Sequence, residues 1–236
     1  MEFRIRQDVR MEHARTHADR IAEILTGLDR LRAVDLRTTV VSLGDREVIG
    51  YRCRIHGAAV HRYELAAPAD PNVLAAFENR LGVGLPADYR EWITRVGDGG
   101  AGPMLGLLPL SQEAEDAAID YAADFPFTGE QPCLPAAEDS EFQWAENIGR
   151  IHRGATILAN EGDGMYDLLV LRGPAAGQVW WHSYEHAAAL PIFHPDTQEP
   201  LTFLDWYELW LARALDPELG QVGSFAEFAD HGANRP

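Results

Sequence analysis

An α+β fold is predicted by three stretches of this 236-residue chain. Two amphipathic helical stripes follow one another between residues 70 and 96, strand runs bounded by glycine turns fill 155–181, and an aromatic helix closes the region at 202–215. Helical stripes kept apart from hairpin-linked strands are the pattern of helices packed on an antiparallel sheet, not of alternating parallel units.

In chain order, residues 8–32 read as one amphipathic helix with Ala14, Ala18, Ile21, Ile24, Leu25, Leu28 and Leu31 on a shared face. Gly27 weakens it by about 1 kcal/mol relative to alanine. The stripe is short for a coiled coil, so packing onto the main domain is expected rather than dimerisation. Thr38 to Leu65 has strand character: TTVVSL, a turn at Gly44-Asp45, EVIGYRCRI, Gly57, then AVHRYEL. A three-stranded meander is expected. His56 and His61 flank a turn without a third ligand, which disfavours a metal role.

Asp70-Pro71 supplies an N-cap and a first helical position. Val73, Phe77 and Leu81, with Leu74, mark one apolar face. Gly82 and Gly84 end that helix, and Pro86 opens the next at its first position. Tyr89, Trp92, Ile93 and Val96 form a second stripe, stopped at Gly97-Asp98-Gly99-Gly100.

Residues 111–149 are an acidic block. Glu113, Glu115, Asp116, Asp120, Asp124, Glu130, Glu138, Asp139, Glu141 and Glu146 occur there with no basic residue before Arg150. SQEAEDAAIDYAA at its start reads as a helix capped by Ser111. Tyr121, Phe125, Phe127, Phe142 and Trp144 are interleaved with the acids. Acids with aromatics suit either a solvated face over core rings or a surface that captures a basic partner.

ATILAN, a turn at Glu161-Gly162-Asp163-Gly164, MYDLLVLR, a second turn at 173–177, and QVWW predict an antiparallel unit. The first turn lacks the loop length and closing glutamate of a calcium site, so it reads as a tight turn. His182-Ser183-Tyr184-Glu185-His186 matches the H-x-x-E-H string of a zinc peptidase, with His194 as a conceivable third ligand. That chemistry needs both histidines on one helical turn. The string instead follows a strand and precedes Pro191, so a long active-site helix does not fit. Thr202 caps the last helix with Asp205 at N3, Phe203, Tyr207, Trp210, Leu211 and Ala214 share a stripe, and Asp216-Pro217 ends it. A short helical turn is expected at 224–229.

Composition narrows the class. Every basic residue is arginine. Residues 1–65 hold 12 arginines against 10 acids, and residues 66–236 hold 8 against 27, giving the net charge of −17. Such a field repels nucleic acid and anionic membranes and attracts basic partners. No apolar run reaches the about 18 residues of a membrane span, and the N-terminus is too charged for a secretory signal. Cys53 and Cys133 fit no metal or redox spacing and read as reduced thiols, so a cytoplasmic location is expected. No phosphate-binding loop, dinucleotide fingerprint or nucleophile elbow occurs, and no cofactor is expected.

Phe77-Glu78, Leu81-Gly82, Leu85-Pro86, Asp88-Tyr89-Arg90, Gly99-Gly100 and Gly106…Pro109-Leu110 resemble the opening signature of the SUKH superfamily. Ile157 to Trp181 and Phe203 to Leu211 resemble its later strands and closing helix, so the likeness spans about residues 66–215. The superfamily comprises bacterial immunity proteins against polymorphic and contact-dependent toxins, and fungal cell-wall assembly regulators. The resemblance implies a mainly antiparallel sheet flanked by helices over 66–215, with residues 1–65 as a helix-plus-strands extension and 216–236 as a tail. It also implies non-catalytic binding of a basic protein, a cognate toxin domain such as a nuclease. Glu138, Asp139, Glu141, Phe142 and Trp144 are the candidate contact residues. Three other readings stay open: an intracellular scaffold of the fungal type, a zinc hydrolase using His182, His186 and His194, and a silent domain whose role lies in the extension.

Overall fold

A computed structural model describes residues 15–44, 46–110, 120–128, 152–184 and 188–218. It has the expected α+β class, with two antiparallel sheets and five helices among the described residues. The elements are α1 (His17–Asp35), β1 (Arg37–Leu43), β2 (Arg46–Arg52), α2 (Ala58–His61), α3 (Pro71–Leu81) and α4 (Ala87–Arg95). Then come β3 (Ala155–Gly162), β4 (Met165–Val170), β5 (Val179–Ser183), β6 (Ala188–Pro191) and α5 (Phe203–Leu215). Strands β3-β4-β5-β6 lie side by side in chain order, and β1-β2 form a separate ribbon.

Local chemistry sets the boundaries. The Asp70 carboxylate accepts the Asn72 N–H at 2.7 Å with Pro71 in the first turn of α3, and Gly82 closes that helix at φ 75°. Pro86 stands at the N-cap of α4, one position before the expected one. Thr202 and Asp205 form the anticipated capping box of α5, and Thr16 with Asp19 caps α1 in the same way. Asp163 (φ 49°) and Gly164 (φ 77°) make the two-residue turn between β3 and β4; two positive φ values match the right-handed twist of a hairpin.

The main core runs from Ile21 in α1 to Ala214 in α5. Trp92, Trp206, Tyr207 and Phe203 are fully buried in it and stack at 4.6–6.2 Å between ring centroids. Each buried leucine or phenylalanine of these stripes contributes about 2 kcal/mol. The sheet is buried on both faces. Leu158, Ala159, Leu169 and Val179 face the helices. Ile157, Leu168, Val170, Trp180 and Ala189 face outward against Phe125 and Phe127. Pairing passes from Ile157–Leu168 to Ala159–Asp167, so Leu158 is an extra residue. This bulge lets the consecutive Leu158 and Ala159 both reach the main core.

Helix α1 packs on the main domain as expected, here against α5, but it starts at the Thr16 cap inside the expected 8–32 span, runs on to Asp35, and uses a narrower stripe. Ile21, Ile24, Leu28 and Leu31 are buried, whereas Ala18 and Leu25 are exposed. Gly27 is the crossing point: a Cβ there would lie 2.6 Å from the Leu211 side chain. Beside it Arg20 binds Glu208 with two N–H donors at 2.9 and 2.8 Å and Asp205 at 2.6 Å. Its side chain is only 15% exposed, so this fork is better shielded from salt than the surface pairs.

The expected third strand of the extension does not form. Among the described residues of the extension β1 pairs with β2, while AVHRYEL holds the single turn α2 and only an isolated bridge at Leu65. Gly57, at φ 74°, starts that turn against the 103–105 loop; a Cβ there would lie 2.0 Å from the Met104 carbonyl oxygen. Ile55, Ala58 and His61 are buried at three-residue spacing, so tertiary contact overrides the strand propensity of this run. Buried Asp35, at the end of α1, accepts the Arg54 N–H at 2.9 Å, the Ile55 N–H at 3.3 Å and the Tyr63 hydroxyl at 2.5 Å. The Arg54 guanidinium donates onward to the Ala214 carbonyl. Asp35→Ala orphans two buried donors and one part-buried one and is expected to destabilise the fold by about 3 kcal/mol, read by urea unfolding.

Candidate functional site

The candidate contact residues Glu138, Asp139, Glu141, Phe142 and Trp144 lie outside the described residues, as do His186 and Cys133. Of the acidic block residues 120–128 are described, and Phe125 and Phe127 there sit on the outward face of the main sheet. Within the block, Phe125 packs edge-on against Trp180 at 5.1 Å and its N–H donates to the Arg172 carbonyl. Tyr121 turns inward onto Phe77 at 5.1 Å, under the Arg80 guanidinium at 4.8 Å. After the block, the Gly154 N–H donates to the Asp120 carbonyl. Gly154 is at φ 61°, and a Cβ would lie 2.4 Å from the Ala123 carbonyl oxygen, so glycine permits this closure. The chain at Phe125 and the chain at Gly154 are thus two neighbouring footings on the sheet. Asp120 and Asp124 stand exposed at the first, with Arg172 3.7 Å from Asp124.

Next to these footings is a ring cluster that sequence reasoning missed. His182, on β5, is fully buried, and neither ring nitrogen has a hydrogen-bond partner among the described residues. It meets Tyr184 edge-on at 4.7 Å and His152 at 5.7 Å. The Tyr184 hydroxyl is 3.2 Å from His152 Nε2. Burial, with His152 beside it, pulls the His182 pKa down to about 3, so the ring is neutral at pH 7. Burial likewise pulls His61 down to about 4; its Nδ1 accepts the Tyr63 N–H at 3.1 Å.

The H-x-x-E-H string does not begin on a helix: His182 and Ser183 are strand residues paired with Ala189 and Ala188. His194 lies in a surface turn, its Nδ1 accepting the Asp196 and Thr197 N–H groups at 3.2 and 3.3 Å. It borders a cavity of about 650 Å³ with Arg20, Asp205 and Glu208, on the helical side of the sheet. Among the described residues no three His, Cys, Asp or Glu side chains are grouped to hold a metal ion.

A buried acid pair was also missed. Asp167 on β4 is fully buried and accepts the Trp206 indole N–H at 3.3 Å. Glu161, buried on β3, accepts the Trp181 indole N–H at 3.0 Å. Burial, and then the charge of Glu161, push the Asp167 carboxyl well above the usual carboxylate range, which favours its neutral form. The one sequence signal was an aspartate inside the apolar run MYDLLVL. The pair lies against the core helix α5, away from any described cavity, and reads as a structural contact.

No helix among the described residues is long and apolar enough to cross a membrane. The described residues form an α+β scaffold whose sheet is buried on both faces. A family model described as SMI1 / KNR4 family (SUKH-1) matches residues 68–201, more than half of the chain, and the protein belongs to that family. The resemblance read from its glycine, proline and aromatic motifs is borne out. No curated protein and no solved structure matches the chain.

Proposed function

We propose that this protein is an immunity protein that neutralises a toxin domain, most simply a nuclease, by binding it directly. The observation that carries this reading is charge: 27 acids against 8 arginines over residues 66–236, in a chain of this family. A nuclease grips phosphate through arginine and lysine. An inhibitor that offers carboxylates in the same places occupies those groups and steers encounter electrostatically. Glu138, Asp139 and Glu141 are assigned to that role, with Phe142 and Trp144 as apolar anchors. The described chain at Phe125 and at Gly154 is anchored on a doubly buried sheet, and a preorganised base lowers the entropy lost on binding.

Reversing Glu138, Asp139 and Glu141 together to lysine is expected to slow association with the cognate partner at least tenfold and to flatten its salt dependence. Stopped-flow binding at low and high salt measures both. An unchanged rate and salt slope would place the contact surface elsewhere. The cell-wall-regulator type of role predicts several partners and no relief of toxicity.

A further inference from the structure

Two acids lie together inside the core. Asp167 is 0% exposed and Glu161 3%, and no ion pair among the described residues includes Asp167. Glu161 is the extra residue of a second bulge, between the Asn160–Tyr166 and Gly162–Met165 pairs. A bulge re-aims a side chain, and this one brings Glu161 within hydrogen-bond reach of Asp167. Each acid takes an indole N–H from a different element. Asp167 Oδ2 accepts from Trp206 of α5 at 3.3 Å, and Glu161 Oε2 accepts from Trp181 of β5 at 3.0 Å. Asp167 Oδ1, equally buried, meets no N–H or O–H donor among the described residues. Two converging N–H dipoles disfavour a metal cation, and no third His, Cys, Asp or Glu among the described residues is grouped with the pair. Two carboxylates this close in a dry site do not both ionise. The other described groups packed here add no charge. Trp181 stands directly opposite Asp167, and His182 beside it points to the other face of the strand. Tyr207 of α5 is buried, and its hydroxyl donates to the Ala101 carbonyl at 2.7 Å.

We infer that Asp167 and Glu161 share a single proton, held on Asp167 Oδ1 and donated to a Glu161 oxygen, and that this proton is a pH-sensitive latch between the sheet and α5. The shared proton satisfies the orphaned Oδ1 and leaves the pair with one negative charge. Trp206 then ties the pair to the closing helix. Raising the pH passes the proton to hydroxide and leaves two carboxylates facing each other in the core. Their repulsion drives the side chains apart, and with them the Trp181 and Trp206 contacts. The folded state keeps a proton that the unfolded chain loses at ordinary carboxylate values, so the latch weakens as pH rises. This inference does not depend on the toxin partner.

Infrared difference spectroscopy on the full chain reads the protonated carboxyl directly. The expected result is a carboxylic C=O band at about pH 7 in the parent that is absent from both Asp167→Asn and Glu161→Gln. Either amide supplies an N–H where the shared proton was, so the remaining acid ionises. Thermal unfolding from about pH 7 to about pH 8.5, above the histidines and below the tyrosines, gives the second readout. The parent Tm is expected to fall by about 5 °C over that window, while Asp167→Asn stays level and is at least as stable as the parent at the upper end. If Asp167→Asn does not fold, Glu161→Gln carries both readouts. No band in the parent, or a level parent Tm, would overturn the proposal. So would a band that survives Glu161→Gln, because burial alone would then hold Asp167 neutral.

Discussion

Gly100→Ala is expected to destabilise the protein by more than about 4 kcal/mol and to leave little folded material. Gly100 is at φ 100°, where an alanine is strained, and its Cβ would lie 2.5 Å from the Glu64 carbonyl oxygen and 2.8 Å from the Ala66 nitrogen. Both close contacts are backbone, so neither can swing aside. The residue is the middle of a ladder of bridges from Leu65 through Gly100 and Leu107 to Ala159. That ladder carries the loop after α4 onto the edge of β3, and the Gly100 N–H and carbonyl each bond to Leu107, at 3.0 and 2.8 Å. Gly106 repeats the condition, at φ 98° and with a Cβ position 2.3 Å from the Gly100 carbonyl oxygen. Gly177→Ala is the control. It has φ 89° but nothing within 4 Å, so only the conformational part remains, about 1–2 kcal/mol. Urea unfolding of the two variants separates strain from close approach; equal losses would show that the ladder contributes nothing.

Acidification from pH 7 to pH 5 is expected to lower the Tm by about 5 °C, the histidine loss being partly offset by Asp167. His182 and His61 have folded-state values of about 3 and about 4, below the ordinary 6.5. For a histidine lowered in this way the unfolded chain binds the proton first. Its effect is therefore absent above pH 6.5 and grows as pH falls toward the folded value. Each contributes about 1.4 kcal/mol of lost stability per pH unit in that window, together about 4 kcal/mol by pH 5. Asp167 works in the opposite sense. Its raised value means that the folded state keeps a proton the unfolded state has lost, so its contribution declines as pH rises and partly offsets the histidines on acidification. His182→Leu, with His61→Asn to retain an acceptor for the Tyr63 N–H, is expected to flatten the profile. A profile as steep as the parent's would mean that these rings are not held neutral.

What was legible in the sequence was local. Asp70-Pro71, Thr202 with Asp205, and Asp163-Gly164 each act within a few residues, and each formed where expected. What was not legible depended on distant chain. The run at 58–65 has strand propensity, but Gly57 must sit on the Met104 carbonyl, which no local pattern shows. Strand β6, AALP, is alanine-rich and carries little strand signal, and it exists because β5 offers it an edge. Gly27 looked like a weakness in α1 and is where α5 approaches closest. Gly99-Gly100 was readable as a family motif and as a helix stop, but the bridge ladder behind it was not. For the site, sequence located the acidic block and its aromatics, while the footings at Phe125 and Gly154 and the buried His182 needed the fold. The assigned contact residues, Glu138 to Trp144, lie outside the described residues, so their role rests on charge and family.

The most direct test of the central claim is a two-salt pull-down from the native organism's lysate with the tagged protein, followed by co-expression of the captured chain in a heterologous host. The account predicts one dominant basic chain with a toxin-like C-terminal domain, retained at low salt and largely released at high salt. Its toxicity is predicted to be relieved by this protein and not by the Glu138/Asp139/Glu141 charge-reversed variant. Several unrelated partners, or a captured chain whose toxicity the protein leaves unchanged, would contradict it.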